Sequence, residues 1–281
     1  NGYSTETKYI CRKDGDWWTL FVPNSGNRIV LSFKDDPLPF KPETPMLVDM
    51  KITDYCSMGC EYCYQGSTIN GKHMSNIYLY VKALKDAEVF EVAIGGGEPT
   101  EYDNFIQLVN WLHEEGISVN FTTKKVDWLY QPNTKELLSK IGAFAYSVDP
   151  QTKILLLDSI YNKVRSLADG KLTIQVIPAL FTNTTKLKEV LEWAHDKYVR
   201  VTLLGYKSTG RGKLFVENGN ILENEKNWIQ LLNTVEKVPR LSIDTTLAHR
   251  YQQQLINLEI PSWLYHIEEG KYSMYLDAVT D

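Results

Sequence analysis

Short apolar runs and longer amphipathic stretches alternate along the chain. Runs of strand length lie at residues 46–53, 91–95, 117–123, 143–149, 172–178 and 199–206. Each is rich in Val, Ile, Leu, Thr or aromatic residues, the composition that favours extended backbone. Between the runs, apolar residues recur at three- and four-residue steps, the period of one face of a helix. Ile77, Tyr80, Val81 and Leu84 share such a face, as do Phe105, Leu108, Val109 and Leu112, with Asp103 placed as a cap and Gly116 as a stop. Leu187, Val190, Leu191, Ala194 and Tyr198 form another stripe, and Trp228, Leu231, Leu232 and Val235 a fourth. All four read as core-facing surfaces rather than cofactor contacts.

Strand and helix in regular alternation predict a parallel sheet with crossover helices, an α/β fold. Six such units suggest a partial (β/α)6 barrel. Two earlier strands, 16–22 and 27–33, flank the turn residues Pro23-Asn24-Ser25-Gly26-Asn27 and read as a hairpin. Four prolines in 35–45 make a stiff connector. The expected division is 1–44 for hairpin and connector, 45–240 for the barrel, and 241–281 for an extension packed on it. The segment 272–281, YSMYLDAVTD, reads as a strand.

Composition narrows the setting. With 281 residues, 43% of them hydrophobic, the chain has ample material for a large core. A net charge of −5 argues against nucleic acid as a general partner. Four cysteines, three of them clustered, do not resemble a disulfide framework and point to a reducing cytoplasm. No apolar stretch approaches the roughly 18 residues of a membrane span.

The clustered cysteines, Cys56, Cys60 and Cys63, follow the first barrel strand with C-x3-C-x2-C spacing. Three thiolates in one loop hold three corners of an iron–sulfur cube and leave the fourth iron without a protein ligand. Gly59 can take a positive φ and turn the loop back on itself. A zinc site completed by Cys11 or His73 is the bland alternative. The next strand ends in Gly95-Gly96-Gly97-Glu98, where bare backbone and a carboxylate suit an ammonium group. Its alternative is a tight turn.

In a β/α barrel the reacting groups gather where the strands end. That rule singles out Thr122 and Thr123, then Ser147 and Asp149, the last two equally readable as a helix cap before Pro150. It also singles out GYKSTGRGK at 205–213, where Tyr206, Lys207 and Arg211 are placed to meet an anion. The alternative there is a solvated glycine-rich loop. The five histidines show no ligand spacing.

CSMGCEYC followed by IGGGEPT resembles the radical S-adenosylmethionine (SAM) superfamily, and the resemblance covers roughly residues 45–210. It implies that Cys56, Cys60 and Cys63 ligate a [4Fe–4S] cluster, with SAM at the open iron. It places Tyr62 near the adenine and gives Gly95, Gly96, Gly97 and Glu98 the methionine amino group. Thr122, Ser147, Asp149, Tyr206 and Arg211 become further cofactor contacts. A flavodoxin or ferredoxin is implied as electron donor, and the reaction is hydrogen abstraction by a 5′-deoxyadenosyl radical. The N-terminal hairpin, the Gly-Arg loop and the acidic pI lean toward a peptide or protein substrate. A small molecule or nucleotide is the alternative, and a non-catalytic iron–sulfur or zinc module the alternative of another class. Many peptide-modifying members carry later cysteines for auxiliary clusters, and this sequence has none after Cys63.

Overall fold

The structure, a computed structural model, describes residues 9–23, 25–217, 221–232, 237, 239–268 and 270–280. Asn24 of the expected hairpin turn, Val235 of the last helical stripe and Asp281 lie outside the described residues.

At the N-terminus β1 (Ile10–Asp14), β2 (Trp17–Val22) and β3 (Asn27–Ser32) form an antiparallel sheet in that order. The hairpin of β2 and β3 is the expected one, closing at Val22 opposite Asn27 with Gly26 at φ 69°. The additional strand β1 escapes a hydropathy reading because its inward positions are charged. Arg12 and Asp14 are buried at 4% and 2% exposure. Arg12 Nε donates to Asp14 Oδ2 at 3.1 Å, and its other nitrogens reach Thr44 Oγ1 and the carbonyls of Thr44, Pro45 and Glu88. Its guanidinium also lies 4.4 Å from the ring centre of Phe90. This satisfied cation ties the small sheet to the large one.

The large sheet contains β4 (Leu47–Lys51), β5 (Glu91–Gly95), β6 (Ser118–Thr123), β7 (Ala143–Val148), β8 (Leu172–Val176), β9 (Arg200–Leu203), β10 (Leu241–Ile243) and β11 (Ser273–Asp277). Its order is β10-β9-β8-β7-β6-β5-β4-β11, every described pairing is parallel, and it curls into a half-barrel. The six expected strands lie side by side in chain order, from β4 to β9. The other two extend the edges: β10 is only three residues long, and β11 returns the C-terminal segment to the first barrel strand.

Between strands run α1 (Ile77–Asp86), α2 (Phe105–Glu114), α3 (Thr134–Lys140), α4 (Ile154–Leu167) and α5 (Thr184–Asp196). Shorter helices follow: α6 (Arg211–Glu217), α7 (Ile221–Glu225), α8 (Asn227–Leu232), α9 (Thr245–Arg250) and α10 (Gln252–Asn257). Two expectations are corrected. Asn104, not Asp103, occupies the cap position of α2. Tyr198 leaves its stripe, because α5 ends at Asp196 and the chain turns at Tyr198 with φ 55°, leaving that ring 83% exposed.

Alternation along each strand gives the sheet two unlike faces. Val48, Met50, Val92, Ile94, Val119, Phe121, Phe144, Ile174 and Val201 point outward into one apolar core with the helices. Asp49, Ala93, Asn120, Thr122, Ser147, Gln175 and Thr202 occupy the opposite, less buried positions and line the concave face. Among the described residues no helix is long and apolar enough to cross a membrane.

Candidate functional site

Every strand of the half-barrel is parallel, so their C-terminal ends form one rim, and the cysteine loop rises from it after β4. The loop is pinned by its own backbone. Cys56 N donates to Thr68 O at 3.0 Å, Cys63 N to Cys60 O at 3.2 Å and Gly66 N to Cys63 O at 3.2 Å. Gly59 has φ 62°, and a side-chain carbon there would touch nothing, so conformation alone asks for glycine. All three thiols are half-buried. Burial is the main influence raising the Cys56 thiol, opposed by the Met58 amide and reinforced by Glu98, Cys60 and Glu101.

The glycine turn packs directly against the start of that loop. Gly97 N donates to Thr53 O at 2.6 Å and Glu98 N to Tyr55 O at 2.9 Å. A Cβ on Gly97 would sit 1.9 Å from Tyr55 O, and one on Gly96, whose φ is 128°, 2.4 Å from Thr53 O. Those two glycines permit backbone to lie on backbone. Gly95 differs: a Cβ there meets nothing within 4 Å and faces the concave side. Glu98, only 2% exposed, accepts through Oε1 from Thr100 N, Thr100 Oγ1 and Thr123 Oγ1, and through Oε2 from Lys124 N. It therefore fastens the glycine turn to the end of β6. Glu101 does the same for the cysteine loop, accepting from Ser57 N at 2.9 Å and Ser57 Oγ at 2.6 Å and pairing with Lys125 at 2.8 Å.

Lys124, the first residue past β6, links several of these elements. Its ammonium pairs with Asp149 Oδ2, donates to Tyr62 OH at 2.7 Å and lies 3.5 Å from Cys60 Sγ. Tyr62 OH in turn donates to Asp149 Oδ2 at 3.2 Å. Burial pulls the Lys124 ammonium down, but the Asp149 carboxylate and the Tyr62 hydroxyl outweigh it and hold the pKa above the ordinary lysine value. Burial pushes the Tyr62 phenol up, and Lys124 opposes it only in part. Burial also works against the Asp149 carboxylate, yet Lys124 keeps it below the usual range. Asp149 does not cap the next helix, since α4 begins at Ile154 with Lys153 at its cap position and no side-chain cap bond. Oδ2 takes part in the network, while Oδ1 accepts from Gln151 N and Thr152 Oγ1 in the turn after β7.

The other candidates divide. Thr122 and Ser147 face the concave side, where Thr122 Oγ1 donates to Gln175 Oε1 at 3.3 Å. Asp49 lies deeper on that face, reached by water but walled by protein. This enclosure raises its carboxyl, with Lys207 opposing. Tyr206 does not face the cleft: it is 1% exposed, and its hydroxyl donates to Gly212 O at 2.8 Å. Arg211 turns to the cysteine loop, donating from Nε to Cys60 O at 3.0 Å and from a terminal nitrogen to Ser67 O at 2.8 Å. Thr209 Oγ1 donates to Tyr64 O and Gly212 N to Cys63 O, so residues 209–212 clasp the loop rather than reach for an anion.

Lys124 and Glu101 were missed by sequence reasoning. The strand-end rule stopped at Thr123, one residue before Lys124. Glu101 lies in a short helical turn after the glycines, where an acid has no sequence signature.

The donor set fits an iron–sulfur cluster better than one zinc ion. Cys11 is exposed on β1, and His73 is engaged with Thr53 Oγ1 at 2.8 Å and stacked on Tyr102. Among the described residues no three His, Cys, Asp or Glu side chains converge as ligands of a single ion. Thiolates that each bind a different iron need no such convergence.

Residues 50–152 match the family model of the radical SAM superfamily. Over that segment the chain carries a radical SAM domain, and the members of this superfamily are enzymes that use a [4Fe–4S] cluster and SAM. GTP 3′,8-cyclase of Helicobacter pylori is 20% identical over 187 residues, 60% of this chain and 58% of the cyclase. Mycofactocin maturase MftC of Mycolicibacterium smegmatis is 28% identical over 135 residues, 46% of this chain and 31% of the maturase. The chain thus spans less than two thirds of either relative. The crystal structure of Streptococcus suis SuiB bound to precursor peptide SuiA has the same fold, with a TM-score of 0.65 and 14% identity over 97% of this chain and 81% of SuiB.

Proposed function

We propose that this chain is a radical SAM enzyme that abstracts hydrogen from a peptide. Cys56, Cys60 and Cys63 hold the cluster, and Arg211, Thr209 and Gly212 brace their loop from β9's side. A [4Fe–4S] cluster held there would pass one electron to bound SAM, the reductive cleavage that yields methionine and a 5′-deoxyadenosyl radical. Gly95 leaves open space for the methionine end, and its neighbours keep that turn against the cysteine loop. Glu98 positions the same turn while its Oε2 retains a lone pair. Tyr62, held by Lys124 and Asp149, offers a ring beside Cys63 for the adenine. Thr122, Ser147 and Gln175 line the concave face on which the substrate rests.

One observation carries the peptide reading: the likeness to SuiB extends over 97% of the chain, well past the radical SAM segment. It therefore reaches into the N-terminal sheet, and SuiB is seen with a precursor peptide. MftC, a maturase, adds sequence-level support. The GTP cyclase relatives favour a nucleotide as the second reading. Anaerobic protein given SAM, dithionite and, in separate reactions, GTP or short peptides encoded beside its gene tests both. Faster 5′-deoxyadenosine release and a mass change in a peptide support the first reading. A response to GTP alone selects the second, and no 5′-deoxyadenosine under any condition defeats both.

A further inference from the structure

The two adjacent lysines after β6 have different surroundings. Lys125 turns outward to Glu101 and the Ser57 hydroxyl. Lys124 turns inward, and its hold on Tyr62 does not by itself account for a place beside a cysteine sulfur. Its ammonium lies 3.5 Å from Cys60 Sγ, inside the longer hydrogen-bond range of sulfur. Two contacts fix it there: the Asp149 carboxylate and the Tyr62 hydroxyl at 2.7 Å. Asp149 is itself held through its other oxygen by Gln151 N and Thr152 Oγ1, both at 3.0 Å. The ammonium therefore cannot swing freely, and with its side chain 19% exposed it is shielded from bulk water and salt.

A cation and N–H donor fixed beside a ligating sulfur has a definite electrostatic consequence. A cluster that gains an electron gains negative charge on its sulfurs. A nearby positive charge favours that reduced form, more strongly where water is excluded. Hydrogen bonds from groups behind the ligands are a principal means by which a protein sets such a potential.

We infer that Lys124 is a positioning residue that raises the reduction potential of the cluster through the Cys60 sulfur. It thereby eases entry of one electron, lost by a low-potential donor of the flavodoxin or ferredoxin type. The inference rests on the proposed cluster site. Cys60 is singled out among the three ligands, because Cys56 and Cys63 have no lysine within the same reach among the described contacts.

The test uses the full chain reconstituted anaerobically with iron and sulfide, as wild type, Lys124→Gln and Lys124→Arg. Iron content is measured first, and each protein is then titrated potentiometrically with the reduced cluster followed by EPR, without SAM. The expected result is equal iron in all three, a more negative midpoint for Lys124→Gln, and a midpoint for Lys124→Arg near that of wild type. A merely structural lysine would leave the midpoint of loaded protein unmoved. An unchanged midpoint in Lys124→Gln overturns the inference. So does a Lys124→Gln protein that loads no iron while wild type does, since Lys124 would then govern assembly instead. Wild type that loads no cluster defeats the site itself, a separate failure seen at the iron measurement.

Discussion

The two faces of the half-barrel obey different rules. The outward face is a continuous apolar layer, where Phe121 lies between Phe105, Trp128 and Phe144 with ring centres 5.0 to 5.6 Å apart. The concave face carries Asp49, Asn120, Thr122, Ser147, Gln175 and Thr202 at the alternate positions of the same strands. A sheet with both faces covered ordinarily needs apolar residues on each. Polar side chains on the concave face are what the proposed function calls for, with a ligand rather than the protein supplying the contacts there. The same division recurs within three glycines. Gly96 and Gly97 lie against backbone, and Gly95 opens onto free space.

The largest effect that sharpens this comparison is expected in the outer layer. Phe121→Ala should cost about 3–5 kcal/mol in anaerobic denaturant unfolding, from lost burial plus the cavity left behind. Ser147→Ala, on the concave side, should stay within about 0.5 kcal/mol of wild type. Equal losses at the two positions would erase the distinction between the faces.

The glycines give the next test. Gly97→Ala drives a carbon onto Tyr55 O and should displace the cysteine loop, lowering iron loading and thermal stability together. Gly95→Ala should fold and load iron like wild type, because its new carbon enters open space, and should weaken SAM binding instead. Iron content and the SAM-induced change in the EPR signal separate the two. A Gly97→Ala protein with full iron would contradict the packing role.

The smallest effect concerns the sheet edge, where Lys51 bridges Asp54 at 2.6 Å and Asp277 at 2.9 Å. Burial disfavours the Asp277 carboxylate, yet Lys51 and the amides of Val279 and Thr280 hold its pKa below the ordinary 3.8. A depressed folded-state pKa contributes stability that is present above the unfolded value and lost as pH falls through the folded one. Asp277→Asn should therefore narrow its stability gap to wild type between pH 5 and the acid limb, followed by thermal melting at about pH 6 and about pH 3. A gap that widens on acidification would reverse the assignment.

Much of this was legible beforehand because strand period, helix period and strand-end loops are local signals. The six barrel strands, the hairpin and the cysteine loop follow from them. What was illegible depended on distant partners. β1 hides because Arg12 is buried by virtue of Thr44, Pro45 and Glu88, none near it in sequence. Tyr206 and Arg211 resemble ligand contacts at a strand end, and only the packed loop shows them serving Gly212, Cys60 and Ser67. Lys124 was passed over because a single lysine after a strand carries no pattern, and its meaning comes from Cys60, Tyr62 and Asp149 meeting in space.

The central claim is that the three-cysteine loop holds an iron–sulfur cluster with an open position for SAM. The most direct measurement is the EPR spectrum of anaerobically reconstituted, reduced protein before and after SAM, alongside metal content. The account predicts about four irons per chain, a reduced-cluster signal that shifts on SAM addition, and loss of both in Cys56→Ala, Cys60→Ala or Cys63→Ala but not Cys11→Ala. Stoichiometric zinc without iron, or a cluster signal indifferent to SAM, would contradict it.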